Sequence, residues 1–203
     1  LPTDRYMAVE GANGLIAAIA DAHSLEAAGD KILGPLSDGR LPQPFTGAVA
    51  LDGNLAIDLL CQMAHSPLLA RADLRVAPAS PGKALRLGPF VKAGRGTLYV
   101  NLEEAGLLCQ AEFADSRAAA TGLLTRGAAR VVVTDGSKPA TVADPDSMLT
   151  ETPPPVHVTR VTGAGDTFMA AHIAAERSGI RAEQALHRAL EATALYVSGE
   201  TRI

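Results

Sequence analysis

The run Thr162-Gly163-Ala164-Gly165-Asp166-Thr167-Phe168 sets a carboxylate directly after three residues with little or no side chain. An extended segment (156–161) leads into it, and a long apolar helical pattern leads out. The first amides of such a helix lack intrahelical partners and carry the positive end of the helix dipole, roughly half an elementary charge. Gly163, Ala164 and Gly165 let an anion come close to those amides, which is how a phosphate is held. Asp166, in the first turn, is poorly suited to binding an anion and well suited to receiving the proton of an attacking hydroxyl. In a loose phosphoryl-transfer transition state that proton leaves late, when the hydroxyl is already acidic. The same residues also fit an ordinary glycine-rich turn whose Asp stabilises its helix by about 0.3–1 kcal/mol. On residue types alone the two readings weigh equally.

Strands and helices must hold that turn at the rim of a sheet. Residues 6–10 alternate apolar and polar, and residues 15–20 are apolar again after the pair Asn13-Gly14, which predicts a β-hairpin. A polar, glycine-rich stretch (21–44) follows, with a short helix expected near 31–36. Strands are expected at 47–51, 74–76, 97–100 and, most clearly, 130–134 (Arg-Val-Val-Val-Thr). Helices are expected at 55–64, at Pro81–Leu87 with Pro in its first position, at Leu102–Cys109 and at 116–126. Asp115 or Ser116 should cap the last of these and Gly127 stop it. Short strands at 140–143 and 156–158 should flank a loop (144–155) stiffened by consecutive prolines. Helices at 163–178 and 182–197, broken at Gly179, close the chain. Such alternation predicts one α/β layered domain over residues 1–203, with a mainly parallel sheet.

Composition narrows the function classes. With 47% hydrophobic residues, 3% aromatics and no Trp, the core must be built from Ala, Leu, Val and Ile. A net charge of −4 without a Lys/Arg cluster argues against a nucleic-acid surface. No run approaches the ~18 apolar residues of a membrane span and no basic-then-apolar leader opens the chain, so a cytoplasmic location is expected. Cys61 and Cys109 lack a CxxC pattern and fall on predicted apolar helix faces, so both are expected to be buried, reduced thiols. His23, His65, His157, His172 and His187 show no metal-binding spacing. The sequence has no G-x-S-x-G elbow and no Walker A pattern, which excludes those hydrolase and P-loop chemistries.

The turn at 162–168, followed by an Ala-rich helix, resembles the C-terminal signature of the PfkB-type carbohydrate kinases, a family that includes ribokinase, adenosine kinase and pseudouridine kinase. Three further segments match in the family's order. Asn101-Leu102-Glu103-Glu104 resembles its NxxE motif. Residues 131–136 (Val-Val-Val-Thr-Asp-Gly) are similar to the strand and turn that touch ATP, and Asp52-Gly53-Asn54 is like its D-x-N segment. The resemblance runs from Tyr6 to Ser198. It implies a ribokinase-like, Rossmann-like three-layer sandwich and an ATP-dependent kinase acting on a sugar or nucleoside hydroxyl. Asp166 would be the catalytic base, with the amides of Gly163, Ala164 and Gly165 as the anion hole. Asn101 and Glu104 would organise Mg²⁺ and its waters around the ATP phosphates, with no direct protein ligand to the metal. Thr134 and Gly136 would lie against the nucleotide, and the helix 182–197 would wall the adenine. On residues alone, Glu104 in the first turn of a helix reads as ordinary capping chemistry.

Two departures from the family pattern matter. The chain opens at Leu1-Pro2-Thr3-Asp4 and runs at once into strand-like sequence, so the family's N-terminal substrate and lid portion is expected to be missing. The hairpin would then have unpaired edges needing a neighbour, which admits a homodimer. Where many relatives carry Asp or Asn to help bind a monovalent cation, this chain has Arg160, so weak or no K⁺ activation is expected. Residues 6–9 with the strand 15–21, residues 51–55 and residues 78–84 resemble the pseudouridine kinase branch. The alternative is a catalytically silent nucleotide- or sugar-binding protein of the same fold.

Overall fold

The computed structural model describes residues 3–11, 14–21 and 23–199. A six-stranded sheet runs in the order β3-β4-β5-β6-β7-β8. Its strands are β3 (Ala48–Asp52), β4 (Asp73–Ala77), β5 (Thr97–Asn101), β6 (Arg130–Asp135), β7 (Lys138–Ala143) and β8 (Met148–Glu151). β3 to β6 are parallel, β7 pairs antiparallel with β6, and β8 pairs antiparallel with β7. Apart from the sheet, β1 (Arg5–Gly11) and β2 (Gly14–Asp21) form an antiparallel hairpin, with Met7 opposite Ile19 and both exposed. Asn13 of the expected turn lies outside the described residues.

Because side chains alternate across a strand, each buried strand feeds two cores. Leu98, Val100, Val131 and Val133 face one side, against α3 (Ile57–His65), α4 (Gly88–Ala93), α5 (Leu102–Cys109) and α6 (Ser116–Thr125). Tyr99, Val132, Ala140 and Val142 face the other, against α7 (Ala164–Arg177) and α8 (Ala182–Ser198). The result is the ribokinase-like three-layer arrangement of helices on both faces of a mostly parallel sheet. Val131, Val132 and Val133 are all fully buried, which is why this strand reads as an unbroken apolar run. Among the described residues no helix is long and apolar enough to cross a membrane.

Several local expectations need correction. Residues 156–158 form no strand: the prolines before them offer no N–H to a ladder, and Val156 and Val158 are exposed. The third antiparallel strand is β8, inside the stretch expected to be loop. Asp144 makes it possible, since its Oδ1 accepts from the amides of Asp146 and Ser147 and closes a tight turn at 2.9 Å each. Asp-Pro-Asp-Ser is a good type I turn sequence, so the signal was present. Residues 21–44 hold α1 (His23–Ala28) and α2 (Gly34–Ser37), with a 3-10 turn (Gly29–Leu33) between them. Pro81–Leu87 is a 3-10 helix that passes into α4. Cys109 is buried but Cys61 is exposed, because Leu59, Leu60, Met63 and Ala64 take the inward face of α3.

Candidate functional site

The parallel register brings the expected nucleotide residues to one edge. Asn101, at the end of β5, is paired with Thr134 on β6. Thr134 is half-buried, and Gly136 beyond it is exposed, at φ +57° with open space where a Cβ would stand. α7 runs back against the strands. Phe168 and Met169 near its start pack with Tyr99 and Val132, while Glu176 near its end meets Arg130, the first residue of β6. The stretch from 166 to 176 spans about 15 Å, so the N-terminus of α7 lies toward the edge that carries Asn101 and Thr134.

The first turn of α7 separates the three small residues by role. Gly163 is the N-cap at φ +85°, and a Cβ there would lie 2.6 Å from Tyr196 Oη. Its lack of a side chain is therefore demanded by the fold. The amide of Ala164 donates to Val161 O at 3.1 Å, so it is not available to an anion as expected, and the amides of Gly163 and Gly165 have no acceptor among the described residues. Gly165 has nothing within 4 Å of a built Cβ, and Asp166 beside it is exposed. No described residue hydrogen-bonds the Asp166 carboxylate, and Gly165 and Asp166 are both exposed.

The segment entering this turn is fastened to the end of α8. The amides of Thr159 and Arg160 both donate to Val197 O, at 2.8 and 3.2 Å, and Tyr196 Oη donates to Thr162 O at 2.8 Å. Arg160 lays its guanidinium over the Tyr196 ring, 3.9 Å from the centroid, while its Nε donates to Tyr196 O. α8 itself packs through Leu186, Ala189 and Leu190 in the core that α7 shares with β7.

Asn101 and Glu104 form a complete capping box at the start of α5. Asn101 Oδ1 accepts from the Glu104 amide and Glu104 Oε2 accepts from the Asn101 amide, both at 2.8 Å. The capping chemistry read from the residue types is thus present. Among the described residues Asn101 Nδ2 and Glu104 Oε1 have no further hydrogen-bond partner. Burial raises the Glu104 pKa, only partly opposed by the hydrogen bond from Asn101.

One polar network gave no signal in the sequence. Arg75 on β4 donates to Tyr99 Oη (3.0 Å) and to Glu176 Oε2 (2.5 Å), Arg130 donates to Glu176 Oε1 (2.5 Å), and Tyr99 Oη meets His172 Nδ1 at 2.9 Å. His172 is fully buried, and Phe168 stacks on its ring. The charges that hold α7 on the sheet therefore lie at the end of the helix opposite Asp166.

A family model described as pfkB family carbohydrate kinase matches residues 92–201. No curated protein matches the sequence. Among solved structures, a carbohydrate kinase from Agrobacterium tumefaciens is 24% identical, with TM-score 0.74, covering 95% of this chain and 61% of its own. Ribokinase from Thermotoga maritima is 20% identical, with TM-score 0.76, over 97% of this chain and 64% of its own. Arabidopsis thaliana ribokinase, solved with ribose and ATP, is 20% identical, with TM-score 0.74, over 97% and 63%. At these identities the likeness is one of fold. The chain spans about three-fifths of the length of the structures it matches.

Proposed function

This chain belongs to the pfkB family of carbohydrate kinases, and from that premise we propose that it carries the nucleotide and catalytic portion of an ATP-dependent phosphotransferase. The acceptor is a hydroxyl of a sugar or nucleoside. The observation that carries the reading is the pairing of an exposed Asp166 carboxylate with the open, uncommitted backbone at Gly165. The amides of Gly163 and Gly165, with the helix dipole behind them, stabilise charge on the transferring phosphoryl. Asp166 receives the proton of the attacking hydroxyl. Thr134 and Gly136 lie against the nucleotide, the ligand with which the Arabidopsis relative was solved.

Among the described residues no group of three His, Cys, Asp or Glu side chains could cage a metal. Mg²⁺ characteristically keeps several waters and binds through substrate phosphates, and the unused Asn101 Nδ2 and Glu104 Oε1 suit a role in holding those waters. When bound, the ion neutralises charge on the phosphates. Arg160, fixed over Tyr196, places a positive charge where a monovalent cation would be disfavoured. The likeness of residues 51–55 and 78–84 to pseudouridine kinases favours a nucleoside such as pseudouridine as acceptor.

The test is Mg²⁺-dependent ATP consumption across a panel of sugars and nucleosides, by the wild type and by Asp166→Asn. Turnover should fall by about two orders of magnitude or more, with ATP affinity nearly unchanged. Equal turnover by the two proteins would sink Asp166 as the base. ATP binding with turnover in neither points to a silent binding protein of the same fold.

A further inference from the structure

The turns after β3 and β4 interlock at the same edge of the sheet as Asn101 and Thr134. The Gly53 amide donates to Ala77 O at 2.9 Å, and a Cβ on Gly53 would lie 2.3 Å from Pro78 O. Asp52 is paired with Ala77, and Val76 with Leu98. Asn54 and Ala79 follow the ends of β3 and β4, and Asn101 ends β5, so the three form a row along the carboxyl-end edge of the parallel strands, where Thr134 on β6 pairs with Asn101. Ala79 takes φ +66°, a strained value for a residue with a Cβ, and it is exposed on that row.

Within this row a side chain relay ends on a cation. Asp52 accepts from the Asn54 amide at 2.8 Å and from Asn54 Nδ2 at 3.1 Å. That fixes the Asn54 carboxamide so that its Oδ1 faces away from Asp52, and there it accepts from Lys83 Nζ. Lys83 sits in the 3-10 helix Pro81–Leu87, which packs against α5, and its own amide is tied to Ser80 O at 2.9 Å. The neighbouring Arg86 is occupied by Glu26 and by the carbonyls of Gly53 and Leu55. Lys83 is different: it is half-buried, and among the described residues its ammonium has a neutral partner and no carboxylate. Two of its three N–H donors are left for another acceptor. Strands lie about 4.8 Å apart, so the ends of β3 and β5, with β4 between them, are about 10 Å apart, and Lys83 meets Asn54 just beyond the end of β3.

We propose that Lys83 is a positioning residue for a phosphoryl group on the side of the site away from Thr134, held in place by the Asp52–Asn54 pair. The inference rests on the kinase reading and adds a cation to it. An ammonium suits this task as a point charge with rotatable donors, whereas a guanidinium would suit a fixed planar fork. The phosphoryl oxygen belongs either to the polyphosphate of the nucleotide or to a phosphorylated sugar.

Calorimetric titration of tripolyphosphate, ATP and ribose 5-phosphate into the wild type, Lys83→Met and Lys83→Arg tests it. Lys83→Met, which keeps the length of the stem, should weaken tripolyphosphate and ATP by roughly tenfold or more, with an unaltered melting temperature and binding largely restored in Lys83→Arg. A loss confined to ribose 5-phosphate supports the inference and assigns the phosphoryl group to the acceptor. Equal affinities of wild type and Lys83→Met for all three ligands overturn it while leaving the kinase reading intact. So does a loss that comes with a lowered melting temperature and is not restored by Arg, since that marks a structural role. A wild type that binds none of the three overturns the kinase reading, and the role of Lys83 with it.

Discussion

Arg75 on β4 and Glu176 on α7, 101 positions apart in the chain, are joined by a 2.5 Å hydrogen bond from Nη1 to Oε2. Burial alone would raise the Glu176 pKa, but the hydrogen bond from Arg130, the nearby charges and the bond from Arg75 hold it down at about 2. Arg75 is likewise held above its ordinary range despite burial, by Asp73, Tyr99 and Glu176. The helix that begins at the candidate catalytic end is thus locked to the sheet by charges at its other end.

Glu176→Gln would leave Arg75 and Arg130 without their shared carboxylate. Removing one member of a buried ionic group typically costs about 3–5 kcal/mol, because the partner charge stays buried and uncompensated. The part exposure of Arg130 (side chain 22%) points to the lower end, about 3 kcal/mol. Urea denaturation measures it, and a loss below about 1 kcal/mol would show that the network is incidental.

His172 should make stability depend on pH. Desolvation lowers its pKa to about 4, with Glu176 opposing and Arg130 and Arg75 reinforcing. An unfolded His takes up its proton near pH 6.5, so between pH 6.5 and 4 the unfolded state binds more protons and stability falls as the pH falls. The full change is about 3 kcal/mol. Glu176 has the depressed pKa of an ion-paired acid, so its contribution is present above its unfolded pKa and is lost as the pH falls toward 2. Tyr99, Phe168, Glu176, Arg75 and Arg130 are the groups that face His172. Denaturation in His172→Phe should lose the His172 part of that slope, so that stability falls less than in the wild type from pH 6.5 to about 4.5. An unchanged slope there would assign the pH dependence elsewhere.

Two glycines three residues or fewer from Asp166 should respond in opposite ways. Gly163→Ala forces a Cβ onto a backbone at φ +85° and into Tyr196 Oη at 2.6 Å, so it should destabilise by about 1–3 kcal/mol. Gly165→Ala meets nothing within 4 Å and gains helix propensity of up to about 1 kcal/mol. Its melting temperature should hold or rise while kinase turnover falls, since a methyl then crowds the anion site. Thermal melts with turnover assays separate the two. Equal stability of both variants would contradict the packing of Tyr196 on the cap.

Where neighbouring residues decide the outcome, the structure could be read directly from residue order. The valines at 131–133 announce a strand covered on both sides, Asn101 and Glu104 announce their own capping box, and the glycine-rich turn before Asp166 announces a helix start. Each depends on propensity, alternation or a contact within one turn, and none needs knowledge of what lies across the fold. Contacts between distant segments left no such trace. Nothing adjacent to Arg75, Tyr99, His172 or Glu176 marks them as partners, because their pairing follows from which strand lies beside which and how far α7 slides along the sheet. Gly163 and Gly165 look interchangeable in one dimension. Packing of α8 makes one a steric necessity and leaves the other open to a ligand, and the same three-dimensional register brings Lys83 to Asn54. Local chemistry sets the elements, while long-range packing sets which side chains meet, since a contact energy acts only once both of its partners have been placed.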